Sequence, residues 1–372
     1  MIDRLLIVCG GTGGHFYPGL SIATELRNRG GHPRLFITGR QTEQQGRAAS
    51  EKGIDYEIIS PAPIPKGLKG KFSFVIKLLK SILESRSKIK SFRPEAVLVM
   101  GSFHSLAPAL AARMMGIPLF AHDGNARIGK ANLFLSRFSK QLALSFPPVD
   151  SGGIKCGWTV TGMPVRQQIA ECRLAKPEAV GIINSRLGTS FSHEFPIILV
   201  FGGSQGAEGI NQKVPEAFKM QGDESFQVIH ICGTGNMDNL GKAYSDATFK
   251  YKIIESSGEM EVFYSASDLV ICRSGGSTVA ELAIFAKFAI LIPYPHATDN
   301  HQSDNADFYC SSGAGIKILE KELSVNKLAS TVAFFMENPA DFAEKGALGA
   351  RLAKPHASSE ILQLIENLQL AI

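Results

Sequence analysis

Charge-free apolar runs recur along the chain, and several of them break directly into glycine. Leu5-Leu6-Ile7-Val8-Cys9 runs into Gly10-Gly11-Thr12-Gly13-Gly14-His15, and Ile197-Ile198-Leu199-Val200-Phe201 runs into Gly202-Gly203-Ser204-Gln205-Gly206. Runs without polar alternation suit strands covered on both faces, and the glycines allow a sharp turn and close approach of a ligand. After the first turn, Pro18 sits where a helix can begin and Ile22, Ala23 and Leu26 keep helical spacing. Further buried strands are predicted at 96–100, 117–121, 228–232, 268–272 and 289–294. The strand, glycine turn, helix unit occurs twice, about 190 residues apart, which predicts two doubly wound, Rossmann-like α/β domains with parallel sheets.

The length of 372 residues agrees with two domains, on a prior of roughly 150 residues each. The Gly162-Met163-Pro164-Val165-Arg166 stretch marks the expected boundary, giving domains over 1–164 and 165–355. The amphipathic C-terminal segment, about 356–372, is expected to pack back on the first. Six cysteines (9, 156, 172, 232, 272 and 310) lack any C-x-x-C pair and read as free thiols of a reducing compartment. The N-terminus enters a strand directly, without the pattern of a signal peptide. No apolar run has the length of a membrane span.

Charge changes the picture. Between Lys66 and Arg93 stand nine Lys or Arg against the single acid Glu84, a local net of +8 (9 minus 1). The whole chain carries +5, so the remainder is −3 (5 minus 8). Within this segment Lys71 to Ile89 reads as an amphipathic helix, with Phe72, Val75, Ile76, Leu79, Ile82 and Leu83 at spacings of three and four. One reading is a core helix with a solvated basic side. The other is a surface that rests on anionic lipid headgroups, joined by a second basic and apolar stretch from Arg127 to Lys140. A nucleic-acid patch lacks any accompanying motif.

Glycine turns that open helices suit phosphate, because the first-turn N–H groups and the helix dipole face the turn. A third such turn follows Cys272, at Arg273-Ser274-Gly275-Gly276-Ser277-Thr278, and its helix carries Glu281. A dinucleotide oxidoreductase would place an acid at the end of the second strand, where this chain has Gly39-Arg40. Arg40 suits a 2′-phosphate, so that reading is demoted without being excluded. Two phosphate-binding domains suit a diphosphate ligand, and no D-x-D pair or Cys/His cluster is present to hold a metal on it. Nucleotide sugars fit best, with helix starts stabilising the leaving diphosphate.

The turns at 10–15, 162–166 and 202–207, Cys272-Arg273-Ser274-Gly275 with Glu281, and Pro293 to Asn305 together resemble the MurG family, collinearly from about Arg4 to the last helix. The resemblance implies a GT-B fold, two Rossmann-like domains facing a cleft. It implies inverting, metal-independent transfer of N-acetylglucosamine from UDP-N-acetylglucosamine to the 4-hydroxyl of lipid I, forming the peptidoglycan precursor lipid II. The implied enzyme is peripheral, on the cytoplasmic face of the plasma membrane, and has no cofactor. Carried over by residue, Thr12, Gly13 and Gly14 lie at the junction of donor sugar and acceptor, Asn125 meets the sugar, Arg166 and Ser204 the nucleotide and its phosphate, and Glu281 the ribose. Gly276, Ser277, Thr278, Val279 and Ala280 cover the nucleotide, Ser257 stands beside uracil, and Gln302 contacts sugar hydroxyls. His15 is the candidate general base, and Asp123 is the catalytic carboxylate that orients either the acceptor or that base. The family commonly has His-Glu-Gln-Asn where this chain has His122-Asp123-Gly124-Asn125, so the carboxylate here is one methylene shorter and an amide is missing.

Plainer readings stand beside these. Glu281 can decorate a helix, Arg166 can be a linker arginine, His15 can merely position phosphate, and His122 can be a satisfied core histidine. Alternatives to the function are another GT-B UDP-sugar transferase, a UDP-N-acetylglucosamine 2-epimerase of the same fold, or a non-catalytic nucleotide-sugar-binding protein.

Overall fold

The computed structural model describes residues 2–39, 41–61, 67–203, 206–222 and 225–370, with the backbone alone at 67–73 and 370. Arg40, Lys66 and Ser204 lie outside the described residues. The chain divides into two compact units, residues 1–167 with 354–372, and residues 168–353.

The first unit holds seven strands: β1 (Arg4–Gly10), β2 (His32–Thr38), β3 (Asp55–Ile59), β4 (Ala96–Val99), β5 (Leu119–Asp123), β6 (Gln141–Leu144) and β7 (Gly157–Val160). They form one sheet in the order β3-β2-β1-β4-β5-β6-β7, every neighbouring pair parallel. Strand order reverses between β1 and β4, so the loops after these two strands flank the switch point where open parallel sheets bind ligands. Leu5, Leu6, Ile7, Val8 and the whole of β4 are buried, as their unbroken apolar runs require.

The second unit repeats the plan with six strands: β8 (Ile197–Phe201), β9 (Gln227–Ile231), β10 (Lys250–Ile254), β11 (Leu269–Cys272), β12 (Ala289–Leu291) and β13 (Gly315–Lys317). Their order is β10-β9-β8-β11-β12-β13, again all parallel. Here the reversal falls between β8 and β11. β3, β10 and β13 escape the sequence reading because they are short edge strands with partly exposed residues, and β6 because its apolar run is only Leu142 to Leu144.

The C-terminal helix Ala357–Leu370 belongs to the first unit and packs on the helix Gly13–Asn28. Ile361, Leu362 and Ile365 join Phe16, Ile22 and Leu26 in one buried cluster. Polar ties register it: Ser359 Oγ donates to Glu25 at 2.8 Å, and Gln369 Nε2 to the Glu95 carbonyl at 3.0 Å. All six cysteines are free, and burial pushes the thiols of Cys9 and Cys272 up.

The basic helix Gly67–Phe92 turns its face contrary to a simple core assignment. Ser81, Ile82, Ser85 and Ile89 point inward, while Val75, Ile76, Leu79 and Leu83 point outward, Leu79 at 55% and Leu83 at 66% exposure. Six apolar residues at helical spacing predict one face; the structure splits the five whose side chains are described, Ile82 inward and the others outward, where Ser81 and Ser85 lie inward and bond to the Ser60 and Ser81 carbonyls.

Replacing Ile361 by Ala removes three buried carbons between two helices and should destabilise the first unit by about 2–4 kcal/mol. Trp158, the chain's single tryptophan, lies in that unit and reports its unfolding. An unchanged urea midpoint of Trp158 fluorescence would show that the helix contributes nothing there.

Candidate active site

At the switch point of the first sheet, β1 ends in a turn that only glycine can make. Gly10 has φ +121°, and a Cβ there would overlap the Thr38 carbonyl oxygen. Thr12 follows in extended conformation as N-cap of the helix Gly13–Asn28, its own side chain making no cap bond. The N–H groups of Gly13 and Gly14 accordingly precede the helical ladder at the strand's end, where His15 N donates to Thr12 O at 3.2 Å. Thr12 and Gly14 are exposed, Gly13 and His15 half-buried.

His15 leaves the helix toward the loop after β4. Its imidazole lies over Gly101, with Cε1 and Nδ1 at 3.3 and 3.5 Å from where a Cβ of Gly101 would stand, beside the Asn132 amide. Asp123 ends β5 and is 3% exposed. It accepts from Asn125 N at 3.1 Å, Gly129 N at 2.9 Å and Asn132 Nδ2 at 2.9 Å. Burial raises its carboxyl above the usual range; the three donors and the nearby His15 pull the other way. Asp123 and His15 are thus brought together, and the carboxylate folds the loop that presents Asn125.

His122 is buried, with Nε2 at 3.1 Å from Ser145 Oγ, and burial pushes it down to about 4. It is a satisfied neutral core histidine. The space a side chain at Gly124 would enter is filled by Met163, whose Cε stands 3.1 Å from the Cβ position. Arg166 is half-buried at the end of the same unit. Asn132 went unread in the sequence, since a lone asparagine in an apolar helix carries no local signal of its tie to a strand nine residues earlier.

In the second unit the turn after β8 leads through Gly206 to Ala207, N-cap of the helix Glu208–Lys219. Gly206 has φ +75°, and a Cβ there would overlap the Cys232 carbonyl oxygen. Beyond β11, Gly275 caps the helix Gly276–Ile284, whose first helical bond is Val279 N to Gly275 O at 3.0 Å. The N–H groups of Gly276, Ser277 and Thr278 accordingly precede the helical ladder. Val279 is buried and Ala280 half-buried.

Glu281 is half-buried one turn further on, where Tyr264 donates its hydroxyl to Oε2 at 3.0 Å. The Tyr264 ring is itself fixed, stacked on Phe285 at 5.1 Å and edge-on to Phe201 at 6.0 Å. Gln302 sits beside the same loop: its Oε1 accepts from Tyr294 N at 2.9 Å and its carbonyl from Ser274 Oγ at 2.7 Å. Arg273, quoted only as part of a motif, ties the strand ends together. It donates to the Ile292 and Pro293 carbonyls at 3.1 Å, pairs with Glu320 at 2.5 Å, and lies over the Tyr294 ring. Ser257 stands after β10, three places along the sheet from β11, and accepts from Glu259 N at 3.0 Å.

Comparison with known proteins follows the two units. The glycosyltransferase family 28 N-terminal domain matches residues 5–144 and the C-terminal domain of the same family residues 197–361. The chain is 35% identical over 336 residues, 90% of each chain, to the UDP-N-acetylglucosamine–N-acetylmuramyl-(pentapeptide) pyrophosphoryl-undecaprenol N-acetylglucosamine transferase of Psychromonas ingrahamii. Acinetobacter baumannii MurG superposes with a TM-score of 0.76 at 25% identity, covering 98% of this chain and 99% of that one. The chain belongs to the MurG family of glycosyltransferases. Its two parallel-sheet domains are those of the GT-B class. A UDP-GlcNAc 2-epimerase from Neisseria meningitidis shares the fold alone, with a TM-score of 0.67 at 13% identity over 98% of this chain and all of that one.

The two buried histidines make a pH prediction. Burial holds His122 down to about 4 and His230 to about 3, against about 6.5 in an unfolded chain. Below pH 6.5 the unfolded state takes up protons that the fold refuses, so each histidine costs stability as pH falls, by about 1.4 kcal/mol per unit down to its folded value. Asp123 acts oppositely: its raised carboxyl contributes stability at low pH that is lost as pH rises. Thermal midpoints should fall between about pH 6.5 and 4.5, and His122→Asn should flatten the slope by about one proton. An unaltered slope in that variant contradicts neutral burial.

Proposed function

We propose that this chain transfers N-acetylglucosamine from UDP-N-acetylglucosamine to the 4-hydroxyl of the N-acetylmuramyl pentapeptide of lipid I, producing lipid II with inversion at the anomeric carbon. The observation that carries this reading is the conjunction, at both switch points, of an open helix start with a side chain held from behind: His15 against Asp123, and Glu281 against Tyr264. The names borne by the relatives agree with it.

In the proposed reaction the first unit takes the acceptor and the second the nucleotide, with Thr12, Gly13 and Gly14 serving both the donor sugar and the acceptor and Asn125 the donor sugar. Glu281 accepts from the ribose hydroxyls, Gln302 meets the sugar, and residues 276–280 cover the nucleotide. Arg166 and Ser204 serve the nucleotide and its phosphate, and Ser257 the uracil edge. His15 removes the acceptor hydroxyl proton as that oxygen attacks the anomeric carbon. The bond from that carbon to the diphosphate breaks, and the electron pair leaves with UDP. Asp123 stabilises the imidazolium that forms. The helix starts after β8 and β11 neutralise the leaving charge without a metal.

The same reading puts the protein on an anionic membrane surface. Among the described residues no helix is long and apolar enough to cross a membrane. The outward Val75, Ile76, Leu79 and Leu83 share their helix with exposed Lys77, Lys80, Arg86 and Lys90, which is the combination that suits a headgroup boundary. The helix Leu106–Met114 packs against both this helix and Lys130–Leu135, which carries exposed Phe134 with Arg137 over its ring. Phe74 meets Phe103 in the loop after β4, ring centres 5.8 Å apart, so the lipid-facing helix touches the acceptor end of the sheet.

Transfer from UDP-N-acetylglucosamine to a lipid I analogue, with and without chelator, tests the reaction. His15→Ala should lower kcat by about 10²–10⁴-fold and leave donor KM within about threefold; near-normal turnover removes His15 from the chemistry. In vesicle flotation, Leu79→Ser with Leu83→Ser should weaken binding to anionic vesicles. Equal binding to neutral and anionic vesicles, insensitive to salt, would refute the electrostatic part.

A further inference from the structure

Behind the turn after β8 lies a buried polar chain that the reaction above does not use. His230, on β9, is fully buried among apolar strands. Its Nδ1 stands 3.0 Å from the Tyr244 hydroxyl and its Nε2 3.1 Å from Asn211 Oδ1. Asn211 Nδ2 donates to the Cys232 carbonyl at 2.9 Å, which turns Oδ1 toward the imidazole. Oδ1 only accepts, so Nε2 carries the proton and Nδ1 accepts from Tyr244. The tautomer is set by its surroundings.

Asn211 sits in the first turn of the helix Glu208–Lys219, where its own N–H donates to Ala207 O at 2.8 Å. The Cys232 carbonyl it grips is the one against which Gly206 packs without room for a Cβ. Asn236 Nδ2 reaches the same carbonyl at 3.2 Å. A chain of directed bonds thus runs from Tyr244 through His230 and Asn211 to the carbonyl beneath the turn. Apolar residues of the same volume would fill this space without the desolvation cost of a hydroxyl, an imidazole and an amide. What they would lack is direction.

We propose that His230 and Asn211 are positioning residues for the donor diphosphate, setting the height and rotation of the helix start and the Gly206 turn relative to β9. The proposal rests on the reading of that turn as the donor-phosphate site. His230 acts only through Asn211; it touches no substrate.

The test separates the two ring nitrogens. A glutamine amide reaches about where Nε2 stands and an asparagine amide about where Nδ1 stands, so His230→Gln keeps the bond to Asn211 and His230→Asn keeps the one to Tyr244. Each loses one buried bond and should lose stability alike. Donor KM and the affinity for UDP, read by titration calorimetry, should weaken about tenfold in His230→Asn, with kcat and acceptor KM within about twofold. His230→Gln and Tyr244→Phe should keep UDP affinity near the parent value despite lowered melting temperatures. Should His230→Asn fail to fold, Asn211→Ser puts the same question and should give the same tenfold loss.

Equal UDP affinity in all four variants overturns the proposal, as does a loss that follows melting temperature and not the bond to Asn211. Gly206→Ala distinguishes this failure from that of the underlying reading. If it weakens UDP while His230→Asn does not, the turn binds donor and the buried chain does not position it. If it too leaves UDP affinity unchanged, the turn is no donor site.

Discussion

An α-helix leaves the N–H groups of its first turn without intrahelical partners, and in a parallel sheet every helix that follows a strand begins at the same edge. That constraint governs this molecule. In each unit the strand order reverses once, between β1 and β4 and between β8 and β11, so the helix starts on either side of the reversal splay apart at the end of the sheet where ligands bind. The sequence meets the constraint with glycine where backbone must pass close to backbone, as at Gly10 beneath Thr38 and Gly206 above Cys232. Preorganised donors of this kind need no reorganisation when charge moves onto a leaving group.

The side chains that reach these edges are held by groups that are themselves buried. Asp123 gives all its acceptor capacity shown here to the 125–132 loop and still lies close enough to interact with His15. Tyr264 fixes one oxygen of Glu281 while its ring is clamped by Phe285 and Phe201. Arg273 draws the ends of β11, β12 and β13 to one guanidinium, which sets the start of the segment leading to the helix His301–Cys310 that carries Gln302. Each pairing joins residues from different elements, so the geometry of the edge depends on how the helices and strands of its unit pack.

This explains what the sequence made legible. Central strands announce themselves because burial on both faces demands unbroken apolar runs, and the glycine turns announce themselves because few other residues take their backbone angles. Edge strands β3 and β13 meet neither demand. Asn132, Tyr264 and Arg273 have no local signature, since each is defined by a partner that only folding brings near. The shortened Asp123 and bare Gly124 become intelligible together once Met163 is seen to fill the space beside Gly124.

The helix Gly67–Phe92 carries the same lesson to the surface. Helical spacing identifies a stripe but not the side on which the protein lies. Here Ser81 and Ser85 face inward while Val75, Leu79 and Leu83 face out, an orientation unfavourable in water alone, since each exposed Leu or Val forgoes about 1.5–3 kcal/mol of burial. Lys88, bound by Glu57 and Glu84, is largely neutralised, so among the described side chains of the helix the outward charge rests on Lys77, Lys80, Arg86 and Lys90. In the proposed membrane reading, lysines would bring such a surface to anionic headgroups with a reach limited to a Debye length, whereas apolar side chains would hold it only at contact. The two terms act at different distances, and a stripe with either one alone would be drawn to the membrane without staying or would stay without being drawn.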